Sequence, residues 1–357
     1  MGSNEKNNQI TGMPLPVVWL TETPPEQEFC VNPLVPIGAV TLLNAHGGTG
    51  KSLFALKMAI HIVLGLPIIG AETNGGKVAY MSLEDSENIV RNRLFKIVRA
   101  FPEETRQRIA ELTSKVMLID RYGVQTHMAV VNHTGGIRST PIAHDLSKLL
   151  QENNISCLFV DTFIRTHALN ENDNAQMGAL LVAFERIAKE AKCGVVLIHH
   201  IPKGGDNKAY AARGASAITD NARSVLLMEK KDGLIKVAHT KHNHSAPYPD
   251  QYLEMTEDGV LMEALSFSEV SFIQKKRYQE LYEWWEDVWG RKELTKTNID
   301  DNVEKIRPPN TSYGKNVYKK VLDWALAEGY TEEVPAPENK SNNPKAKYYT
   351  LSPIVEQ

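Results

Sequence analysis

The chemistry this chain can do is written most densely in eight residues, Ala45-His46-Gly47-Gly48-Thr49-Gly50-Lys51-Ser52. Glycines let backbone N–H groups turn inward around an anion, and a helix that starts here adds the positive end of its dipole. An apolar run, Val40–Asn44, precedes the loop, and a helical pattern starts at Ser52. Strand, glycine-rich loop and helix in that order form a phosphate-binding P-loop. The expectation is that Gly47, Gly48, Thr49, Gly50, Lys51 and Ser52 bind a nucleotide. Lys51 would reach the β- and γ-phosphates, and Ser52 would hold Mg2+. ATP and Mg2+ are therefore the expected ligands. Ala45 replaces the glycine that often opens such loops.

Three further clusters could complete a hydrolytic site. Cys157-Leu158-Phe159-Val160-Asp161 is an apolar strand ending in a carboxylate, the second magnesium element expected after a P-loop. Tyr80-Met81-Ser82-Leu83-Glu84-Asp85 ends in two carboxylates. Glu84 would polarise the attacking water. The competing reading makes both carboxylates N-caps or first-turn charges of a helix starting near Ser86. Val195-Val196-Leu197-Ile198-His199-His200 ends in two histidines, and one of them could sense the phosphate through a hydrogen bond. They have no third ligand at zinc spacing.

These groups must be held by a frame. Apolar runs at 39–43, 78–81, 116–119, 158–160 and 195–198 alternate with helical patterns at 52–63, 87–100, 142–152 and 175–191. That alternation predicts an α/β fold with a parallel central sheet covered on both faces. Two later runs, 224–228 and 234–239, flank Lys231-Asp232-Gly233 and predict an antiparallel hairpin. Residues 14–36 are proline-rich and read as a lead-in arm. After about residue 265 the pattern becomes helix, helix, helix and a polar-tipped hairpin, the order of a winged helix. The aromatic stretch 282–289 reads as core of that unit. The expected organisation is an arm at 1–34, an ATPase domain at 35–264 and a small α+β winged-helix domain at 265–357.

The set of motifs resembles the RecA-like ATPases, and more closely the hexameric replicative helicases typified by the plasmid RepA helicase. The carriers are Gly38-Ala39-Val40, the P-loop, Leu83-Glu84-Asp85, Val160-Asp161-Thr162, Leu197-Ile198-His199-His200 with Lys203, Arg213-Gly214-Ala215-Ser216, Asp220-Asn221-Ala222-Arg223, and Lys241 with Asn243 and Ala246-Pro247. The resemblance spans about residues 35 to 262. It implies that Lys51 and Ser52 bind the nucleotide and Mg2+, that Glu84 is the water-activating base and that Asp161 supports the metal. It implies that His200 links the γ-phosphate to DNA-facing loops. It also implies that Arg213 is a finger reaching a neighbouring subunit's site, with Lys241 as a second cation toward that nucleotide. Asn243 stands where some relatives carry a further arginine. The alternative for Arg213 is a surface arginine.

Charge and composition limit the partners. Net charge is −3, which excludes a globally basic nucleic-acid coat but leaves room for a local groove. The 42% hydrophobic and 23% charged content is ordinary for a globular protein. Three cysteines give no ligand spacing or disulfide framework. No run of eighteen apolar residues is present, and the polar first residues lack a signal core, so the expectation is a cytoplasmic protein without membrane contact. Lys203 and Lys208 could track single-stranded DNA phosphates. Lys315 and Lys319 could touch duplex phosphates from the tail, where docking of a replication initiator or primase is the alternative. The resulting expectation is an ATP-hydrolysing homo-hexameric helicase or translocase of a plasmid, phage or other mobile element. The alternatives are an ATPase that loads or switches partners, and a winged-helix DNA-binding regulator under ATP control.

Overall fold

The computed structural model describes residues 12–133, 135–201, 218–219, 221–231, 233–264, 278–285, 321–326, 328–334 and 348–351. The chain divides into two units, Met1–Ala264 and Leu265–Gln357. In chain order the elements of the first unit are α1 (Val18–Thr21), β1 (Phe29–Asn32), β2 (Val35–Pro36), β3 (Val40–Ala45), α2 (Lys51–Leu64), β4 (Glu72–Thr73), β5 (Lys77–Ser82) and α3 (Glu87–Ala100). Then follow α4 (Glu103–Arg106), α5 (Ile109–Lys115), β6 (Val116–Asp120), β7 (Ala129–Val131), β8 (Ile137–Ser139), α6 (Pro141–Glu152) and β9 (Ile155–Asp161). A 3-10 turn (Phe163–Thr166), α7 (Asn174–Ala191), β10 (Gly194–His200), β11 (Ser224–Lys231), β12 (Leu234–His242), β13 (Gln251–Met255) and β14 (Leu261–Glu263) complete the unit.

The main sheet has the order β14-β13-β12-β11-β3-β10-β9-β5-β6. From β11 to β6 all neighbours are parallel, while β11 to β14 run as an antiparallel extension. The period of two along a strand sends alternate side chains to opposite faces. Leu43, Val78, Tyr80, Cys157, Phe159, Val196 and Ile198 meet α2 on one face. Val40, Leu42, Ala79, Met81, Leu158, Val160, Val195 and Leu197 meet α6 and α7 on the other. Both faces are therefore apolar, which is why the strands read as continuous hydrophobic runs. All residues of α2 except Ser52 are buried, because the extension and α3 cover the side that the sheet does not.

One expectation needs correcting. The proline-rich stretch is no arm from Phe29 onward. β1 pairs with β2 and β4, and Cys30, Val31, Leu34 and Val35 are buried in the α2-side core. Composition suggested a lead-in, whereas tertiary packing makes this segment part of the core. The apolar run at 17–20 is different, since Val17, Trp19 and Leu20 are exposed. A short β7–β8 hairpin, absent from the sequence reading, lies between β6 and α6.

In the second unit, helical residues 278–285 and 321–326 bury Leu281, Tyr282, Trp285, Val321, Leu322 and Ala325 together with Tyr349. β15 (Thr331–Val334) pairs antiparallel with β16 (Tyr348–Leu351). Tyr282 and Trp285 thus act as core side chains. Among the described residues, no helix is long and apolar enough to cross a membrane.

Burial makes the first unit sensitive to acid. His61, His167, His199 and His239 are each held down to about 4, first of all by desolvation. An unfolded imidazole takes its proton near pH 6.5, so below that pH the unfolded chain binds more protons than the folded one. Stability is then complete above about pH 6.5 and is lost as pH falls toward 4, by on the order of 1–3 kcal/mol for each ring. Thermal melts at pH 7, 6 and 5 should show a steadily falling Tm. A Tm that does not move over this range would show that these rings are not held neutral.

Candidate active site

The parallel strands bring the functional residues together at their carboxyl ends, where open α/β sheets bind ligands. Register fixes the details. His200 lies opposite Ala45, the first residue of the loop, and Asp161 lies opposite Ser82. The Ile201 N–H donates to the Ala45 carbonyl at 3.0 Å, and His46 Nδ1 lies 2.9 Å from the Ile201 carbonyl. The P-loop is thereby stitched to the end of β10. Gly48 and Gly50 have φ values of 73° and 99°, the left-handed region that side chains resist. Gly50 is also the N-cap of α2, so that helix begins at Lys51 and points its free N–H groups at the cleft.

The cleft has a volume of about 480 Å³. Gly48, Gly50, Lys51, Ser52, Glu84 and His200 all line it. Lys51 is buried, and its ammonium donates to the carbonyls of Ala45 at 2.9 Å and His46 at 3.0 Å. Desolvation pulls its pKa down to about 8, opposed by the charges of Asp161 and Glu84. A buried cation between two carboxylates, beside a helix N-terminus, is suited to a polyphosphate that brings further negative charge.

Asp161 is buried at the end of β9. Desolvation raises its pKa, while hydrogen bonds from Tyr80 and Ser52 hold it lower. The Tyr80 hydroxyl donates to Asp161 Oδ2 at 2.6 Å. A hydroxyl and a carboxylate in contact are the oxygen donors that a hard cation takes. Ser52 and Asp161 would hold Mg2+ here, which would supply positive charge against the phosphates of a bound nucleotide.

The two carboxylates after β5 divide their work. Asp85 forms an ion pair with Arg93 of α3, a structural role different from the N-cap or first-turn charge of the competing reading. Glu84 does not. Its carboxylate lies 3.5 Å from His200 Nε2 and 3.7 Å from Arg165 Nε, and it faces the cleft. His199, by contrast, is buried with its ring edge against Phe163. Of the two histidines, His200 is the one aimed at the cleft.

Lys241 stands apart. It pairs with Val225 near the start of β11, and its ammonium donates to the Thr219 carbonyl at 3.1 Å. It does not line the cleft of its own chain. Arg213, Lys203, Lys208, Lys315 and Lys319 lie outside the described residues. After β9, Asp173 caps α7 by accepting from the N–H groups of Ala175 and Gln176.

Tyr80 is the site residue that the sequence reading missed. Its only signal was a polar tip on an otherwise apolar strand. Burial raises its own pKa well above the usual value, with Asp161 adding to the effect. Tyr80→Phe removes the hydroxyl from a buried carboxylate, which costs about 1–3 kcal/mol. The expected result is a lower Tm and an ATP turnover that needs more Mg2+ to saturate. An unchanged Mg2+ dependence would remove Tyr80 from the metal site.

The likeness to known proteins agrees with this geometry. The family model described as AAA domain matches residues 7–206, a span that holds the P-loop, Glu84, Asp161 and His200. Nucleotide binding and hydrolysis at a P-loop are what such a domain provides, and this chain belongs to the AAA domain family of P-loop ATPases.

Proposed function

We propose that this ATPase is a motor of the hexameric replicative helicase type, resembling the plasmid RepA helicase and moving on single-stranded DNA for a plasmid, phage or other mobile element. One observation carries the reading. Glu84, the water-activating base in this reading, lies 3.7 Å from Arg165 just after β9 and 3.5 Å from His200 at the end of β10. Arg165 starts the polar sequence segment 165–174, and His200 comes three residues before the polar sequence segment 203–212. Cleavage of the γ-phosphate at Glu84 would therefore be felt at the roots of both loops. In this reading the loops hold the DNA strand, with Lys203 and Lys208 on its phosphates.

Arg213 would complete the site of a neighbouring subunit, and Lys241, which is not part of its own cleft's lining, would add a second cation there. Residues 265–357 would form a winged helix that meets duplex DNA through Lys315 and Lys319, or docks a replication initiator or primase. The test is gel filtration with and without ATP, together with ATP turnover with and without single-stranded DNA. An ATP-stabilised oligomer whose turnover rises with DNA is expected. A monomer under all conditions, with turnover indifferent to DNA, would overturn the proposal.

A further inference from the structure

A P-loop binds phosphates and takes no account of the base attached to them. The rest of the cleft must receive the nucleoside. Its remaining lining is Leu53, Asp85, Asn92, Arg93, Lys96, Met255 and Gly259. Met255 ends β13, and Gly259 sits in the turn before β14. In the sheet, β14 is four strands from β3. Flat, at roughly 4.8 Å per step, they would stand about 19 Å apart. Yet a β-carbon placed on Gly50 would lie 3.2 Å from Met255 Cε and 3.5 Å from Leu261 Cδ1. The antiparallel extension therefore curls over α2 and returns to touch the P-loop.

Two polar ties hold that curl. Lys57, in the middle of the buried helix α2, donates its ammonium to the Leu261 carbonyl at 2.8 Å. The Ile69 N–H donates to Glu263 Oε1 at 2.5 Å. A buried ammonium is costly to keep, and burial does lower the Lys57 pKa, with Glu263 opposing. An apolar side chain would fill that position in α2 without this cost, so the tie itself has to be explained.

We propose that the β13–β14 hairpin is the nucleobase wall of this cleft, with the Met255 thioether lying against the face of the base and Lys57 positioning the hairpin. A thioether is soft and polarisable, and it packs well on a flat heteroaromatic ring. Met255 is 39% exposed, so its side chain is available to a ligand. The inference rests on the ATPase reading of the same cleft.

The experiment uses the full chain and two probes, Mg·ATP and inorganic tripolyphosphate, with affinities from calorimetry. Met255→Ala should weaken ATP roughly three- to tenfold and leave tripolyphosphate unchanged. Lys57→Met, where a melt shows it folded, should have the same selective effect. Met255 is partly exposed, so its variant remains decisive even if the Lys57 variant unfolds. Equal loss for both probes, or no loss for either, would overturn the nucleobase wall while leaving the ATPase reading intact. A wild-type chain that binds neither probe would overturn both.

Discussion

Glu84→Gln should leave ATP bound and cut its turnover by about 100- to 10,000-fold, the range that loss of a positioned general base produces. The amide keeps the size of the side chain and its contacts with the cleft, but it cannot take a proton from water. Glu84 is not among the groups that fold the site. Its neighbour Asp85 carries the ion pair to Arg93, and Leu83 anchors the strand end through its N–H to the Asp161 carbonyl at 2.7 Å. The variant should therefore melt like the wild type. Turnover is followed by phosphate release and binding by equilibrium dialysis with ATP. Wild-type turnover in Glu84→Gln would show that another group activates the water.

Lys51→Ala should abolish hydrolysis and weaken ATP by at least about tenfold, since it removes a charge-assisted contact to the phosphates. Arg213→Ala should keep ATP but lose about 1,000- to 100,000-fold in turnover, the usual value of an arginine finger. The two lesions would spoil different halves of a shared site. Mixed oligomers would then contain some interfaces with an intact Lys51 on one side and an intact Arg213 on the other. Mixing the two inactive proteins should restore part of the activity. Recovery at no mixing ratio, once subunit exchange is demonstrated, would contradict an arginine supplied by a neighbour.

The residues read most clearly from the sequence are those whose signal is local. The P-loop, the strand ending at Asp161 and the helix Glu87–Ala100 each carry their pattern within one element, and they lie where that pattern places them. The parallel sheet was legible because its strands are apolar on both faces. The features that escaped depend on partners far along the chain. Cys30 and Val35 pack so closely against Gly194 that a β-carbon there would come within 2.9 Å of either side chain. Nothing near residue 30 announces that contact, and its prolines suggested an arm. Tyr80 meets Asp161 only because the β5–β9 register pairs Met81 with Val160 and Ser82 with Asp161. Lys57 interrupts an apolar helix, and its partner Leu261 lies about two hundred residues away. The curl that brings Met255 to Gly50 is a property of a whole sheet edge, which no window of sequence contains.

The central claim is that hydrolysis at Glu84 drives the separation of DNA strands. The most direct measurement is strand separation on a forked duplex with the full-length protein, Mg2+ and ATP, with the Glu84→Gln protein as the control. Unwinding that requires ATP and disappears in Glu84→Gln is the predicted result. DNA-stimulated ATP hydrolysis without any strand separation, at protein concentrations that give the oligomer, would contradict the claim and identify the chain as an ATPase that loads or switches its partners.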